Sequence, residues 1–242
     1  MSILKRIARN QNRGFLAYLR YAVSEIILVV IGILIAVSIN NWNESRKNAD
    51  ELRTIFMTIK DELSKDLQSI DDITEYYKLR APIYEAILTR KMTAENYQKK
   101  RLNAFLLLGF PEFAPHTSGF EQLKSYPKRL SGLSDSLSKE ILSFYTIRLR
   151  ELEVDDVART KNFENDFNYM KQNFEWWGSY LYEKKVEGFL DYALNDPDYY
   201  NRIATSRFMN YDVFLMETFL YKTKALEVME GIDQYLVGEE EE

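Results

Sequence analysis

From Tyr21 to Ile39 the chain reads YAVSEIILVVIGILIAVSI, nineteen residues with one charge, Glu25, near the start. At about 1.5 Å of rise per residue, some twenty apolar residues cover a bilayer core of roughly 30 Å, so the stretch has the length of a membrane span. Its central run, Ile26 to Val37, has no polar face, unlike the half-apolar helix that packs on a soluble core. Lys5, Arg6, Arg9, Arg13 and Arg20 precede it with no acid before Glu25, whereas Arg46, Lys47 and Arg53 beyond it are mixed with Glu44, Asp50 and Glu51. The excess of basic residues on the N-terminal side keeps that side in the cytoplasm. The reading is therefore a cytoplasmic basic tail over 1–20, a transmembrane helix over 21–41 and an extracytoplasmic α-helical domain over 42–242.

A cleaved signal peptide is the alternative, because a basic segment precedes an apolar one and Ala36-Val37-Ser38 has small residues at a peptidase spacing. The long basic segment and the lack of a helix breaker between Ile33 and Ser38 favour an anchor. Asn40, Asn41 and Trp42 suit the membrane interface, with the indole at headgroup level. Within the span, Gly32 and Ala36 form a small-xxx-small pair that permits close approach of a second helix. Glu25 is the one ionisable residue there, a candidate contact for a partner's membrane helix unless Arg20 or Tyr21 satisfies it locally.

The run Glu25-Ile-Ile-Leu-Val-Val-Ile-Gly-Ile-Leu-Ile-Ala, followed by Asn40-Asn41-Trp42-Asn43-Glu44, resembles the N-terminal signature of a DUF6090-like family of uncharacterised bacterial membrane proteins. That signature usually reads GEI-LVVIGILIALQ-NNWNE; here Ser24 stands where Gly is usual, and Val37-Ser38 where Leu-Gln is usual. Phe120-Glu121-Gln122-Leu123-Lys124-Ser125, followed by Leu137, Ile141 and Tyr145, loosely resembles the family's second pattern. The resemblance implies an uncleaved anchor and an envelope location; with the orientation set by the basic residues, the expected location is the bacterial inner membrane with a periplasmic C-terminal domain. It implies no activity.

Beyond the span the expected fold class is all-α, an antiparallel helical bundle with long helices in one domain. Nine of eleven positions in alternating three-four spacing are apolar: Leu52, Phe56, Ile59, Leu63, Ile70, Ile73, Tyr77, Tyr84 and Ile87, with Asp66 and Arg80 at the other two. The stripe either packs on helices of the same chain or forms a homo-oligomeric coiled coil. Pro82 should kink that helix or open a new one. Two glycines and two prolines make 109–119 a loop, after which Ser118 and Glu121 fit a capping box. A helix restarting at Ser134 or Ser136 carries Leu137, Ile141, Phe144, Leu152, Phe163, Phe167, Met170, Phe174 and Trp177. Asp196-Pro197 opens a last helix through Ile203, Phe214, Leu226, Met229, Ile232 and Leu236, which Gly238 closes before a solvated tail, Glu239 to Glu242.

Chemistry is constrained by what the sequence omits. There is no cysteine and one histidine, His116, so no thiolate or multi-histidine metal site can form. The dinucleotide, Walker and nucleophile-elbow glycine patterns are missing. No catalytic residues, cofactor or metal are expected, and His116 reads as a surface or hydrogen-bonded structural residue rather than a catalytic one. The acid pairs Asp71-Asp72 and Asp155-Asp156 read as solvated, since adjacent helical residues point about 100° apart. Aromatic clusters at Tyr76-Tyr77, at Trp176-Trp177 with Tyr180 and Tyr182, and at Tyr199-Tyr200 read as core rather than as a binding groove. Removing the five basic residues and one acid of 1–41 from the chain's 32 and 37 leaves 27 and 36, a net −9 that disfavours nucleic acid. The expected partners are the bilayer, a membrane or envelope protein and a second copy of the chain. The function expected is a non-enzymatic, membrane-anchored interaction module. A ligand sensor signalling through a membrane partner, or an envelope enzyme working with carboxylates, are the alternatives.

Overall fold

The computed structural model describes residues 3–99, 106–127, 132–182 and 187–240, with side chains at 20–99, 106–127, 134–182 and 187–238. Among these residues every regular element is helical. In chain order they are α1 (Ile3–Leu88), α2 (Ala94–Lys99), α3 (Ser118–Ser125), α4 (Gly132–Asn173), α5 (Trp177–Tyr182), α6 (Glu187–Asn195), α7 (Pro197–Arg207), a π-helical segment (Phe208–Phe214) and α8 (Leu215–Glu240). The chain divides into two compact units, residues 1–53 and 54–242.

In the first unit, the N-terminal part of α1 is apolar, and every residue from 23 to 47 is exposed. It is long and apolar enough to cross a membrane, and a signal sequence meets the same description. The side chains of Lys5, Arg6, Arg9 and Arg13 lie outside the described residues.

In the second unit, all of the predicted stripe from Phe56 to Ile87 is buried, including Asp66; Arg80 is half-buried. Pro82 does not end the helix, which continues to Leu88. The stop is a Schellman motif: Arg90 adopts φ 59°, its N–H reaches Ile87 O at 3.0 Å, and Lys91 N–H reaches Ala86 O at 2.8 Å. The Arg90 guanidinium lies 4.3 Å from the Tyr200 ring centre.

The main helix pairing beyond α1 is α4 with α8, and α3 also packs on α4. Phe56 on α1 meets Tyr235 on α8 edge to face at 5.0 Å, and the pairs Lys60–Asp233 and Lys222–Asp71 flank the same two helices. A second part of the core gathers Tyr84, Tyr97, Trp177, Tyr180, Phe189, Tyr192 and Tyr199. Most of the predicted aromatic clusters are thus core, while Tyr182 is exposed.

Four local expectations are corrected. The capping box at Ser118 does not form: the N-cap is Thr117 without a side-chain bond, and the Gly119 N–H donates instead to Glu62 Oε2 of α1 at 2.9 Å. The helix predicted through Trp177 ends at Asn173, and Trp177 opens α5. Gly238 does not close α8, which runs to Glu240; residues 241 and 242 of the predicted tail lie outside the described residues. Leu226 faces outward, and Tyr221, Ala225, Val228, Ile232 and Tyr235 form the buried side of α8. By contrast Asp196 caps α7 as expected, its Oδ1 accepting the Asp198 N–H at 2.8 Å with Pro197 at the first helical position.

Candidate functional site

The residues singled out around the span all lie on α1, with Glu25, Gly32, Ala36, Asn40, Asn41 and Trp42 exposed. A Cβ at Gly32 would meet nothing within 4 Å. Glu25 makes no ion pair with Arg20 or hydrogen bond with Tyr21 among the described residues; the neighbouring Ser24 hydroxyl donates to Tyr21 O at 2.7 Å. The apolar segment from Val23 to Ile39 therefore presents an exposed surface.

Inside the second unit two polar constellations are built into otherwise apolar packing. The first centres on Asp66, which occupies a core position of the α1 stripe and is fully buried. Its Oδ1 lies 2.6 Å from His116 Nδ1, its Oδ2 accepts the Tyr221 hydroxyl at 2.6 Å, and both oxygens accept the His116 N–H, at 3.1 and 3.3 Å. One helical turn earlier, Glu62 holds the N–H of Gly119. The two carboxylates thus grip both ends of the segment leading into α3. Burial pushes the Tyr221 hydroxyl well above its ordinary range, with Tyr145 and Asp66 adding to the effect, so it stays a neutral donor.

A proton on His116 Nδ1 would be donated to the Asp66 carboxylate across this contact. The His116 side chain is 49% exposed. This is the orienting half of an acid–base pair, but neither of the two cavities described next includes His116. Its evident work is structural, holding the proline-rich loop on α1 and α8.

The second constellation surrounds Arg159 of α4, which is 3% exposed. Nε donates to Asn210 Oδ1 at 3.1 Å, and Nη2 donates to the Tyr77 hydroxyl at 3.1 Å and to Pro111 O at 2.8 Å. Its guanidinium carbon lies 3.6 Å from the Phe214 ring centre and 4.2 Å from that of Phe110. Nη1 has no partner. Asn210 and Phe214 come from the π-helical segment, a geometry that is uncommon and is frequently found at functional sites. Asn210 is fixed in turn by its Nδ2, which donates to Ser206 O at 2.8 Å. Beside this group is a cavity of about 20 Å³ lined by residues that include Arg159, Asn162, Asp166, Ser206 and Asn210.

A third feature is an apolar groove of about 370 Å³ between α4 and α8, floored by Phe144, Ile147, Leu220 and Val228 and rimmed by Glu140, Arg148 and Lys224. Met216 and Phe219 extend the exposed apolar surface of α8. Asp155, one of the acids read as solvated, has a buried Oδ2 without a partner. Asp71 is held by Lys222. No group of three or more potential metal-ligating acids and histidines occurs among the described residues.

The sequence pattern marks the span but neither constellation. Asp66 stands in it only as an interruption of an apolar stripe, and that interruption is the signal. Arg159 left none, because its partners lie 48 to 82 residues away in the chain.

No curated protein and no solved structure matches the chain. Residues 25–103, which begin at Glu25 and take in the apolar segment and the buried stripe, match the model of DUF6090, a family of unknown function whose signature the N-terminal sequence resembles.

Proposed function

We propose that this chain is a single-pass envelope protein of the bacterial inner membrane. Its N-terminus lies in the cytoplasm, and an antiparallel bundle of helices in the periplasm serves as a non-enzymatic interaction module. The observation that carries the reading is the run from 23 to 47, apolar through Ile39 and exposed at every residue. Leaving Ile26, Leu28, Ile33 and Leu34 in water would forfeit roughly 1.5–3 kcal/mol for each such side chain, which a bilayer recovers. The five basic residues before the span set its orientation. Asn40, Asn41 and Trp42 sit where an interfacial anchor is needed.

The test is a pair of fusions to a reporter active only outside the cytoplasm. A fusion after Glu242 should be active and one after Arg13 inactive, with the full-length chain retained in membranes after carbonate washing. Activity in the reverse order, or release of a product that begins near Ile39, would reject the anchor. A ligand-sensing role is a second reading, favoured by the unpartnered Arg159 Nη1 and the π-helical segment around it. In that role the domain would respond to a small molecule and act through a membrane partner.

A further inference from the structure

We propose that the cavity beside Arg159 binds one small monovalent anion, of the size of chloride, against Nη1. The argument starts from charge. A guanidinium taken out of water carries a penalty of several kcal/mol unless an anion accompanies it. Arg159 is buried, and none of its ion-pair or hydrogen-bond partners is a carboxylate. Asp155 and Asp156 act on it only at longer range. Asp166 lines the same cavity, but its Oδ1 is held by Arg202 at 2.6 Å and its Oδ2 by Asn162 at 3.0 Å.

Hydrogen bonding points the same way. Nε and Nη2 are satisfied by three neutral oxygens, and Nη1 by none. A buried donor left unmade is costly, so an acceptor at Nη1 is strongly favoured. Size then selects the acceptor. The volume of about 20 Å³ admits a single water-sized or chloride-sized species and excludes an organic acid. Of the two, only the anion also neutralises the guanidinium. The π-helical segment supplies Asn210 and Phe214 to the same cation, so occupancy would tighten the junction of α7 and α8.

The site depends on the folded second unit and not on membrane topology, so it can fail while the anchor reading stands, and the reverse. The full-length protein in detergent, exchanged into sodium methanesulfonate at constant ionic strength, is titrated with sodium chloride while the chloride NMR line width is followed. The expected result is a saturable, protein-dependent broadening that bromide competes away and methanesulfonate does not. Arg159→Lys keeps the charge but removes the second terminal nitrogen, and should weaken chloride binding at least about tenfold. If that variant does not fold, bromide competition on the wild type and an anomalous bromide peak beside Nη1 in crystals decide the matter. Absence of saturable broadening in the wild type overturns the proposal. So does equal broadening by folded Arg159→Lys, which means an adventitious ion only, or a water and no bromide in the cavity.

Discussion

Asp66 and His116, fifty residues apart in the chain, meet through a 2.6 Å contact between Oδ1 and Nδ1, and the same carboxylate takes the His116 backbone N–H and the Tyr221 hydroxyl. One buried acid thus joins α1, the proline-rich loop and α8. Removing it strands the buried Tyr221 hydroxyl and the part-buried His116 N–H, and each unmade bond costs about 1–3 kcal/mol. Asp66→Ala should therefore destabilise the domain by about 3–5 kcal/mol. His116→Ala, at a half-exposed side chain, should cost about 1 kcal/mol. Thermal unfolding followed by near-UV circular dichroism reads both, and equal losses would show that the histidine rather than the acid organises the loop.

Gly119 makes the closest backbone approach in this region. A Cβ there would lie 2.6 Å from Ile59 Cγ1 and 2.9 Å from Ile59 N. The second atom is backbone of α1 and cannot rotate away, so α3 must move, and the Glu62 bond to the Gly119 N–H moves with it. Gly119→Ala should cost about 1–3 kcal/mol, the range for overpacking. A melting temperature within a degree of wild type would mean that α3 is free to shift.

The α1 stripe was readable because eleven successive positions obey one period and a long helix averages out single exceptions. What the pattern could not say is which polar exception is held inside. Asp66 is fully buried while Arg80 is half-buried and sends Nη1 to Tyr76 O at 3.1 Å. That difference depends on His116 and Tyr221, residues that no local window contains. The loop at 109–119 was equally readable from its glycines and prolines. The acid that caps α3 was not, because Glu62 does from another helix what Ser118 was expected to do locally.

Asp155 gives a pH prediction with a definite sign. Burial raises its carboxyl above the ordinary range, Arg159 opposes this and Glu151 reinforces it. A folded-state value above the unfolded one means that the folded chain holds the proton longer, so this residue's contribution to stability falls as pH rises from about 3.9 through the folded value. Asp155→Asn abolishes that loss. Relative to wild type it should be neutral below about pH 4 and more stable at pH 7, by no more than about 0.5 kcal/mol at this partly exposed position. A variant less stable than wild type at pH 7 would show that the charge of Asp155 is needed beside Arg159.

Two substitutions in the apolar segment separate contact with another helix from simple anchoring. A Cβ at Gly32 meets nothing within 4 Å among the described residues, so Gly32→Leu should leave insertion and fold unchanged while reducing dimers trapped by cross-linking in membranes. Glu25→Gln removes the charge but keeps the size, and should lower recovery of a specific co-purifying membrane protein without changing membrane level. Identical dimers and identical partner recovery would leave this helix as an anchor alone.

The register of the last helices is the clearest place where a helical pattern misleads. A stripe drawn through Phe214 and Leu226 does not keep 3.6 residues per turn, because Leu226 lies about 120° round the regular helix α8 from Phe214, whereas Val228 returns to within about 40° of it. Leu226 is accordingly 49% exposed and Val228 fully buried. The two positions, half a turn apart, should respond oppositely to truncation. Val228→Ala should cost about 1–3 kcal/mol by emptying part of the α4–α8 contact, whereas Leu226→Ala should change stability by no more than about 0.5 kcal/mol. Chemical denaturation of the two variants side by side measures the difference, and a larger loss at Leu226 would mean that Leu226 rather than Val228 faces the core.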